Sequence, residues 1–404
     1  MSASFVKMAS VEQALSLITS HARDRQLGLE TVALAAAEGR RLAEPVAAQV
    51  NQPPADVSAM DGYAVRHADM KVGASLMVTG ESRAGTPYPG SVGPGQAVRI
   101  FTGAHVPKGA DHILIQEDTR REGDQVTVAL DQPRAENVRR MGMDFRLGKE
   151  LVPAGQMMTE GAISLAAAGN VGRVVVSKAP RVGVLANGDE LVAAGTRLSP
   201  GQVVNSIQPA LLALIRRWGG VPVDLGLSRD TEADVRQRIC GPCDVVVSIG
   251  GASVGDYDVV RSAFAAEGFA PVFEKVAMKP GKPTWFSAKG QMLALGLPGN
   301  PAAAMVTAQL FLRPLIDAMT RGPDAVPVQR RAATETPLPA AGNREEYLRA
   351  ILTIDAGGRA RVQAAENQDS SLLSPFLTAN ALIRRRPGSP PAAAGELVDI
   401  EMLR

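Results

Sequence analysis

The chain has little of what many functional classes require. Aromatic residues make up only 4% of it, too few for the stacked-ring platforms that hold single-stranded nucleic acid. Lys and Arg number 43 against 41 Asp and Glu, a net charge of +2, so no nucleic acid and no anionic membrane is implied. The four histidines (His21, His67, His105 and His112) show no metal-ligand spacing, and two cysteines cannot complete a structural zinc site. Covalent hydrolase chemistry is not expected, for want of a Ser-His-Asp arrangement. No apolar run reaches the ~18 residues of a membrane span. The first apolar positions are broken by Lys7, Glu12 and Gln13, so no signal peptide is expected and the expected location is the cytoplasm.

Cys240-Gly-Pro-Cys243 matches a redox tetrapeptide. Such a motif acts after a strand and at the start of a helix, where the helix terminus lowers the thiol pKa. Here the order is reversed. The helix-like stretch 231–239 precedes the pair and the strand-like run 244–249 follows, so a plain turn is the better reading.

What the chain does have is 404 residues, 45% of them hydrophobic and 21% charged, enough for two to four globular domains. Ser10-Val-Glu-Gln13 is a capping box that opens a helix over about residues 10–22. A second helix is expected within 32–46, before Pro45. From 53 to 144, Gly and Pro crowd between short Val/Ile/Leu runs, a β-rich texture. Helical texture returns after Asp144, with Thr159 an N-cap and Gly169 a left-handed stop. From 180 to 325, strands and helices alternate as in a parallel α/β sheet. From 326 to 404 the texture is β again. The expected division is a discontinuous domain (1–52 and 145–179), an inserted β-rich domain (53–144), an α/β domain (180–325) and a C-terminal β domain (326–404).

The chemistry concentrates at the carboxyl ends of the α/β strands, where such sheets bind ligands. Gly250-Gly-Ala-Ser-Val-Gly255 offers bare amides to an anion. Asp256 and Asp258 in the same turn would repel a lone phosphate unless a cation such as magnesium lies between. Lys279-Pro-Gly-Lys282 sets two ammonium groups on a rigid turn suited to a tetrahedral oxyanion. Leu297-Pro-Gly-Asn-Pro301 starts a helix, with Asn300 as N-cap and Pro301 at the first position. Asn187-Gly-Asp-Glu190 supplies Asp189 and Glu190 for a metal or for hydrogen bonds. Each motif also reads as ordinary turn or cap chemistry. A separate set of polar islands lies far away in sequence: Asp56 to Tyr63 with Asp61, Thr102-Gly103, and Arg139-Arg140 with Asp144.

Taken in order, these motifs resemble the molybdopterin molybdenumtransferases of the MoeA type, related to the gephyrin C-terminal region. The resemblance also takes in Ser58-Ala-Met-Asp-Gly-Tyr-Ala64, Ile100-Phe-Thr-Gly-Ala104, Gly188-Asp-Glu-Leu191, Arg344-Glu-Glu-Tyr-Leu-Arg349 and Gln368-Asp-Ser-Ser371. It implies a multidomain homodimer with an α/β molybdopterin-binding domain and a C-terminal β-barrel-like domain. It implies transfer of molybdenum from molybdate to adenylated molybdopterin, with magnesium-dependent release of AMP.

By the resemblance, Gly250, Gly251, Ser253, Gly255, Pro298, Gly299, Asn300 and Pro301, with Asp189 and Arg139, bind the pterin nucleotide. Lys279, Lys282, Arg344 and Ser371 hold molybdate. Glu190, Asp230 and Asp258 hold magnesium, and Asp61, Thr102 and Asp144 join Glu190 and Asp258 in catalysis, arriving from the partner subunit. Further partners implied are the molybdopterin-adenylylating enzyme and molybdoenzyme chaperones. Departures from the family pattern fall at Val57, Ala186, Asn187 and Ile207. Two other readings stay open: a molybdopterin adenylyltransferase, and a non-catalytic gephyrin-like scaffold.

Overall fold

A computed structural model describes residues 5–25, 27–129, 136–251, 259–320 and 330–403. The chain forms two compact units: Met1–Glu30, Gly39–Ala43 and Val176–Arg404 in one, Thr31–Glu38 and Glu44–Val175 in the other.

The larger unit is built on a six-stranded sheet. Its order is Val221–Ser228, Arg181–Asn187, Val245–Ile249, Met292–Leu297, Trp285–Lys289 and Ala270–Phe273. The first four run parallel. Trp285–Lys289 is antiparallel to Met292–Leu297, a strand absent from the expected pattern of alternating strands and helices. The central strand Val245–Ile249 is buried throughout, as expected of a parallel strand covered on both faces. The chain moves from Arg181–Asn187 to one neighbour and then crosses to the other, so the order reverses between Asn187 and Ile249. Clefts at such reversals, beyond the strands' carboxyl ends, are where α/β sheets bind ligands.

One sheet face is covered by Ile207–Arg217 and by the continuous helix Pro301–Met319, the other by Glu232–Ile239 and Val259–Ala266. Pro301–Met319 is long and apolar enough to span a membrane by composition, but 67% of its apolar window is buried. It includes a π-turn at Ala308–Leu312. The first helix, Val11–Arg23, is capped as expected, with Ser10 Oγ accepting from the Gln13 amide at 3.1 Å. Its apolar face (Val11, Ala14, Ile18, Ala22) lies in the α/β core rather than with residues 145–179. The C-terminal strands Arg330–Thr334, Glu345–Ile354, Ala360–Ala364, Ala381–Arg385 and Leu397–Met402 close into a barrel, because Glu345–Ile354 pairs with both Ala360–Ala364 and Ala381–Arg385.

The other unit carries a mixed six-stranded sheet: His112–Ile115, Gly62–Val65, Gln96–Ile100, Ser75–Ser82, Gln125–Val128 and Thr119–Glu122. Both faces of Gly62–Val65 are covered by apolar clusters. The helix expected within 32–46 does not form. Leu29–Ala33 is a strand and Leu34–Ala36 a single 3-10 turn that stops at Ala37, with Gly39 left-handed (φ +69°) just beyond. Thr159 caps Glu160–Ala168, with Oγ1 accepting from the Ala162 amide at 3.3 Å. The left-handed residue at that helix's end is Asn170 (φ 63°), not Gly169, which stays at φ −75°. Gly169 is there for space: a Cβ would stand 2.5 Å from Leu151 Cδ1.

Candidate active site

Five turns meet in a cavity of about 1300 Å³ at the carboxyl ends of the parallel strands. That exceeds the ~300–1,000 Å³ of a single small-ligand pocket and leaves room for two ligands side by side. Its walls come from Asn187, Gly188, Glu190, Asp230, Ile249–Gly251, Lys279–Pro283, Pro298–Pro301 and the barrel residues Arg344, Glu346 and Gln368–Ser370.

The glycines make the cradle possible. Gly250 (φ +86°) and Gly251 (φ +66°) adopt left-handed backbone, and a Cβ on them would stand 2.7 Å from Asn187 O and 2.2 Å from Val260 Cγ2. Gly281 (φ +117°) lets the lysine turn close against Thr307 and Met278. That turn is held by Val276 N–H donating to Lys282 O (3.0 Å) and by Thr284 donating to Gly281 O through both its amide (3.1 Å) and its hydroxyl (2.7 Å). Lys279 and Lys282 are therefore exposed side chains on a fixed backbone.

Asn187 is buried and works as a bridge. Ser228 Oγ donates to its Oδ1 at 2.8 Å, and its own Nδ2 donates to Asp230 Oδ1. The residue that departs from the family pattern thus orients a cavity carboxylate. Asp189 is not a wall residue. It braces the two loops, accepting from the Asp230 amide (3.2 Å) while its own amide points to Asp230 Oδ2 (3.4 Å). Ile207 is buried at the helix start, and the polar work near it falls to Gln208, whose Nε2 reaches Val184 O, Asp224 Oδ1 and Gly226 O.

Asn300 precedes the helix but makes no cap bond. Its Nδ2 donates to Ser370 Oγ at 2.8 Å, and the Ala302 amide donates to Ser370 O at 2.9 Å. Ser370 lines the cavity. Ser371 does not, because its amide and hydroxyl both donate to Asp369 Oδ1 (2.8 and 2.6 Å). The loop is organised by Arg349, which the sequence reading had only as part of a motif. Its guanidinium is fully buried and donates to Leu372 O (2.7 Å), Asp369 O (3.0 Å), Asn367 O (3.3 Å) and Gln368 Oε1 (3.3 Å). Burial pushes its pKa down. Only the burial of an arginine in a β segment could have signalled this role.

Ser253, Gly255 and Asp258 lie outside the described residues. Gly251-Ala-Ser-Val-Gly255 has the Gly-x-Ser-x-Gly spacing, but among the described residues no histidine lines the cavity to activate a serine. Glu190 and Asp230 line the cavity, and hard carboxylate oxygens suit magnesium. Among the described residues no three His, Cys, Asp or Glu form a metal-holding group. A magnesium held by one or two carboxylates plus substrate phosphate fits this donor set.

The distant polar islands come together within the smaller unit. Thr102 donates to Asp61 Oδ1 through both amide and hydroxyl, each at 2.8 Å. These bonds, the amide's first, hold the Asp61 carboxyl below its ordinary range. Ser58 N–H donates to Ala104 O, Ala59 N–H to Asn137 O, and Asp144 N–H to Gln52 O. Arg139 is exposed on Val138–Arg139, which pairs with Val57–Ser58. Val57, one of the departures named above, is buried there. Exposed Met60, Met141 and Met143 stand among these loops.

The cysteines behave as the turn reading requires. Cys240 ends Glu232–Ile239 and is exposed, and Cys243 is buried, which pushes its thiol pKa up.

Comparison with known proteins accounts for nearly the whole chain. Residues 9–169 match the MoeA N-terminal region (domain I and II), 183–318 a probable molybdopterin binding domain, and 331–403 the MoeA C-terminal region (domain IV). A molybdopterin molybdenumtransferase of Nostoc sp. is 37% identical over 89% of this chain and 85% of its own. One of Haemophilus influenzae is 34% identical over 92% and 93%. A crystal structure of the molybdopterin biosynthesis MoeA protein from Pyrococcus horikoshii superposes with a TM-score of 0.79 at 25% identity, covering 98% of this chain and all of that one.

Proposed function

Because the chain belongs to the MoeA family of molybdopterin molybdenumtransferases, we propose that its cavity takes adenylated molybdopterin and molybdate side by side and couples molybdenum transfer to release of AMP. The observation that carries this is the meeting of the Gly250–Gly251 cradle with Lys279, Lys282 and Arg344 in one cavity. The cradle and the Pro298–Pro301 turn suit the phosphates. The cations suit a tetrahedral dianion, with Ser370 rather than Ser371 as the hydroxyl beside them. Holding both anions in one geometry is the main source of acceleration.

Glu190 and Asp230 would hold magnesium, with Asp258 the expected third carboxylate. When bound, that ion offsets the charge gathering on departing AMP. Asp230 is kept in place for this by Asn187.

The active form is proposed to be a cytoplasmic homodimer in which Asp61, Thr102, Arg139 and Asp144 reach the cavity of the second copy. The exposed methionines around that cluster support a surface that becomes covered. The four-part division expected from the sequence is proposed along with it.

Purified protein given adenylated molybdopterin, magnesium and molybdate should release AMP only when molybdate is added. Release independent of molybdate defeats the reading, and adenylated product made from ATP and molybdopterin would favour the adenylyltransferase instead. Mixing an Asp61→Asn copy with a Glu190→Gln copy should restore activity. No restoration contradicts the shared site.

A further inference from the structure

The consecutive glutamates Glu345 and Glu346 face opposite ways on the strand Glu345–Ile354. Glu345 is buried, accepts from the Tyr347 hydroxyl at 2.8 Å and pairs with Arg384. Glu346 stands in the cavity wall beside Lys279, Lys282 and Arg344. The parallel pairing of Met278–Lys279 with this strand puts Lys279 in register with Glu346, and Lys279 Nζ lies 3.7 Å from Glu346 Oε1. The glutamate side chain is 17% exposed and the lysine 61%, so the carboxylate is the fixed member of the pair and the ammonium the movable one.

A carboxylate in the wall of an oxyanion clamp repels the ligand that the clamp is meant to hold. The barrel does not need it, since backbone bonds pair the strands and Glu345 already satisfies the interior. We propose that Glu346 is a counter-charge latch. It holds Lys279 while the clamp is open, and an arriving oxyanion must take the lysine from it. The latch lowers affinity for every tetrahedral dianion, which keeps the clamp from filling with ions that cannot react and sets molybdate affinity below what three cations alone would give. This rests on the reading of Lys279 as part of the oxyanion clamp.

Equilibrium dialysis of the full chain with sodium molybdate, and separately sodium sulfate, tests it. Glu346→Gln should bind both ions more tightly, on the order of tenfold for one charge removed at a partly screened site. Binding equal to or weaker than wild type overturns the latch and leaves Glu346 a mere support for Lys279. Should Glu346→Gln fail to fold, Glu346→Ala decides by the same criterion. Lys279→Gln distinguishes failure of the latch from failure of the clamp. If it binds molybdate as well as wild type does, the clamp reading fails and the latch with it. If it binds more weakly while Glu346→Gln gains nothing, only the latch fails.

Discussion

Replacing Arg349 with methionine keeps the volume of the side chain and removes its donors. Four acceptors lose a partner: Leu372 O, Asp369 O, Asn367 O and Gln368 Oε1. Hydrogen bonds from a charged group contribute about 1.5–3 kcal/mol each, so a simple sum exceeds ~6 kcal/mol. Two corrections reduce it. Asn367 and Asp369 are exposed, so water can replace the donor at their carbonyls. The buried guanidinium is itself disfavoured, as its lowered pKa records, and its removal returns part of that cost. The expected local loss is about 2 kcal/mol, roughly a thirtyfold change in opening equilibrium. Hydrogen exchange reads it directly, because the Ala302 amide is protected by Ser370 O and the Ser371 amide by Asp369. Both should lose protection while the Val245–Ile249 amides keep theirs, and molybdate affinity should fall with them. Arg349→Lys should not restore either, since one ammonium cannot span carbonyls at 367, 369 and 372. Unchanged protection with unchanged molybdate affinity would refute the loop's dependence on this residue.

Four other outcomes are expected. Thr102→Val removes one of the bonds that hold the Asp61 carboxyl below its ordinary range; its pKa should rise toward that range, so the acid limb of the pH–rate profile should move to higher pH. An unmoved limb would detach Asp61 from the rate. Burial, with His67 beside it, pushes the His112 pKa down, and among the described residues His112 Nε2 has no hydrogen-bond partner; resistance of the smaller unit to proteolysis should hold above about pH 6.5 and fall as pH drops below it, and His112→Phe should flatten that dependence. Gly251→Ala should cost about 1–2 kcal/mol for left-handed backbone alone, with the added clash against Val260, and should weaken AMP binding measured by calorimetry. A Cys240→Ser, Cys243→Ala variant should keep activity within about twofold, as expected where neither thiol is near the cavity and burial keeps Cys243 protonated; a large loss would revive the redox reading.

The parallel strands and their glycine turns were legible because a buried strand is a short apolar run and a left-handed turn demands glycine. Val245–Ile249 followed by Gly250 and Gly251 is both at once. Grouping by texture was weaker. The helix Val11–Arg23 carries an apolar stripe that says it packs, not on what, and its place in the α/β core comes from tertiary fit. The stretch 32–46 failed as a helix because its Ala-rich composition was outweighed by Gly39 and by the pairing of Leu29–Ala33. Side-chain roles were the least legible. Two adjacent serines look alike in sequence, and only the bond from Ser371 to Asp369 frees Ser370 for the cavity. Asn187 looked like a weakened motif and instead bridges Ser228 to Asp230. Glu345 and Glu346 differ only in which face of a strand they occupy.

Crystals grown with AMP and soaked in molybdate, measured at the molybdenum absorption edge, show where the metal sits relative to the nucleotide. One strong anomalous peak is expected, bounded by Lys279, Lys282, Arg344 and Ser370, beside AMP on the Gly250–Gly251 turn. A molybdenum peak elsewhere, with this cavity holding AMP alone, would contradict side-by-side binding.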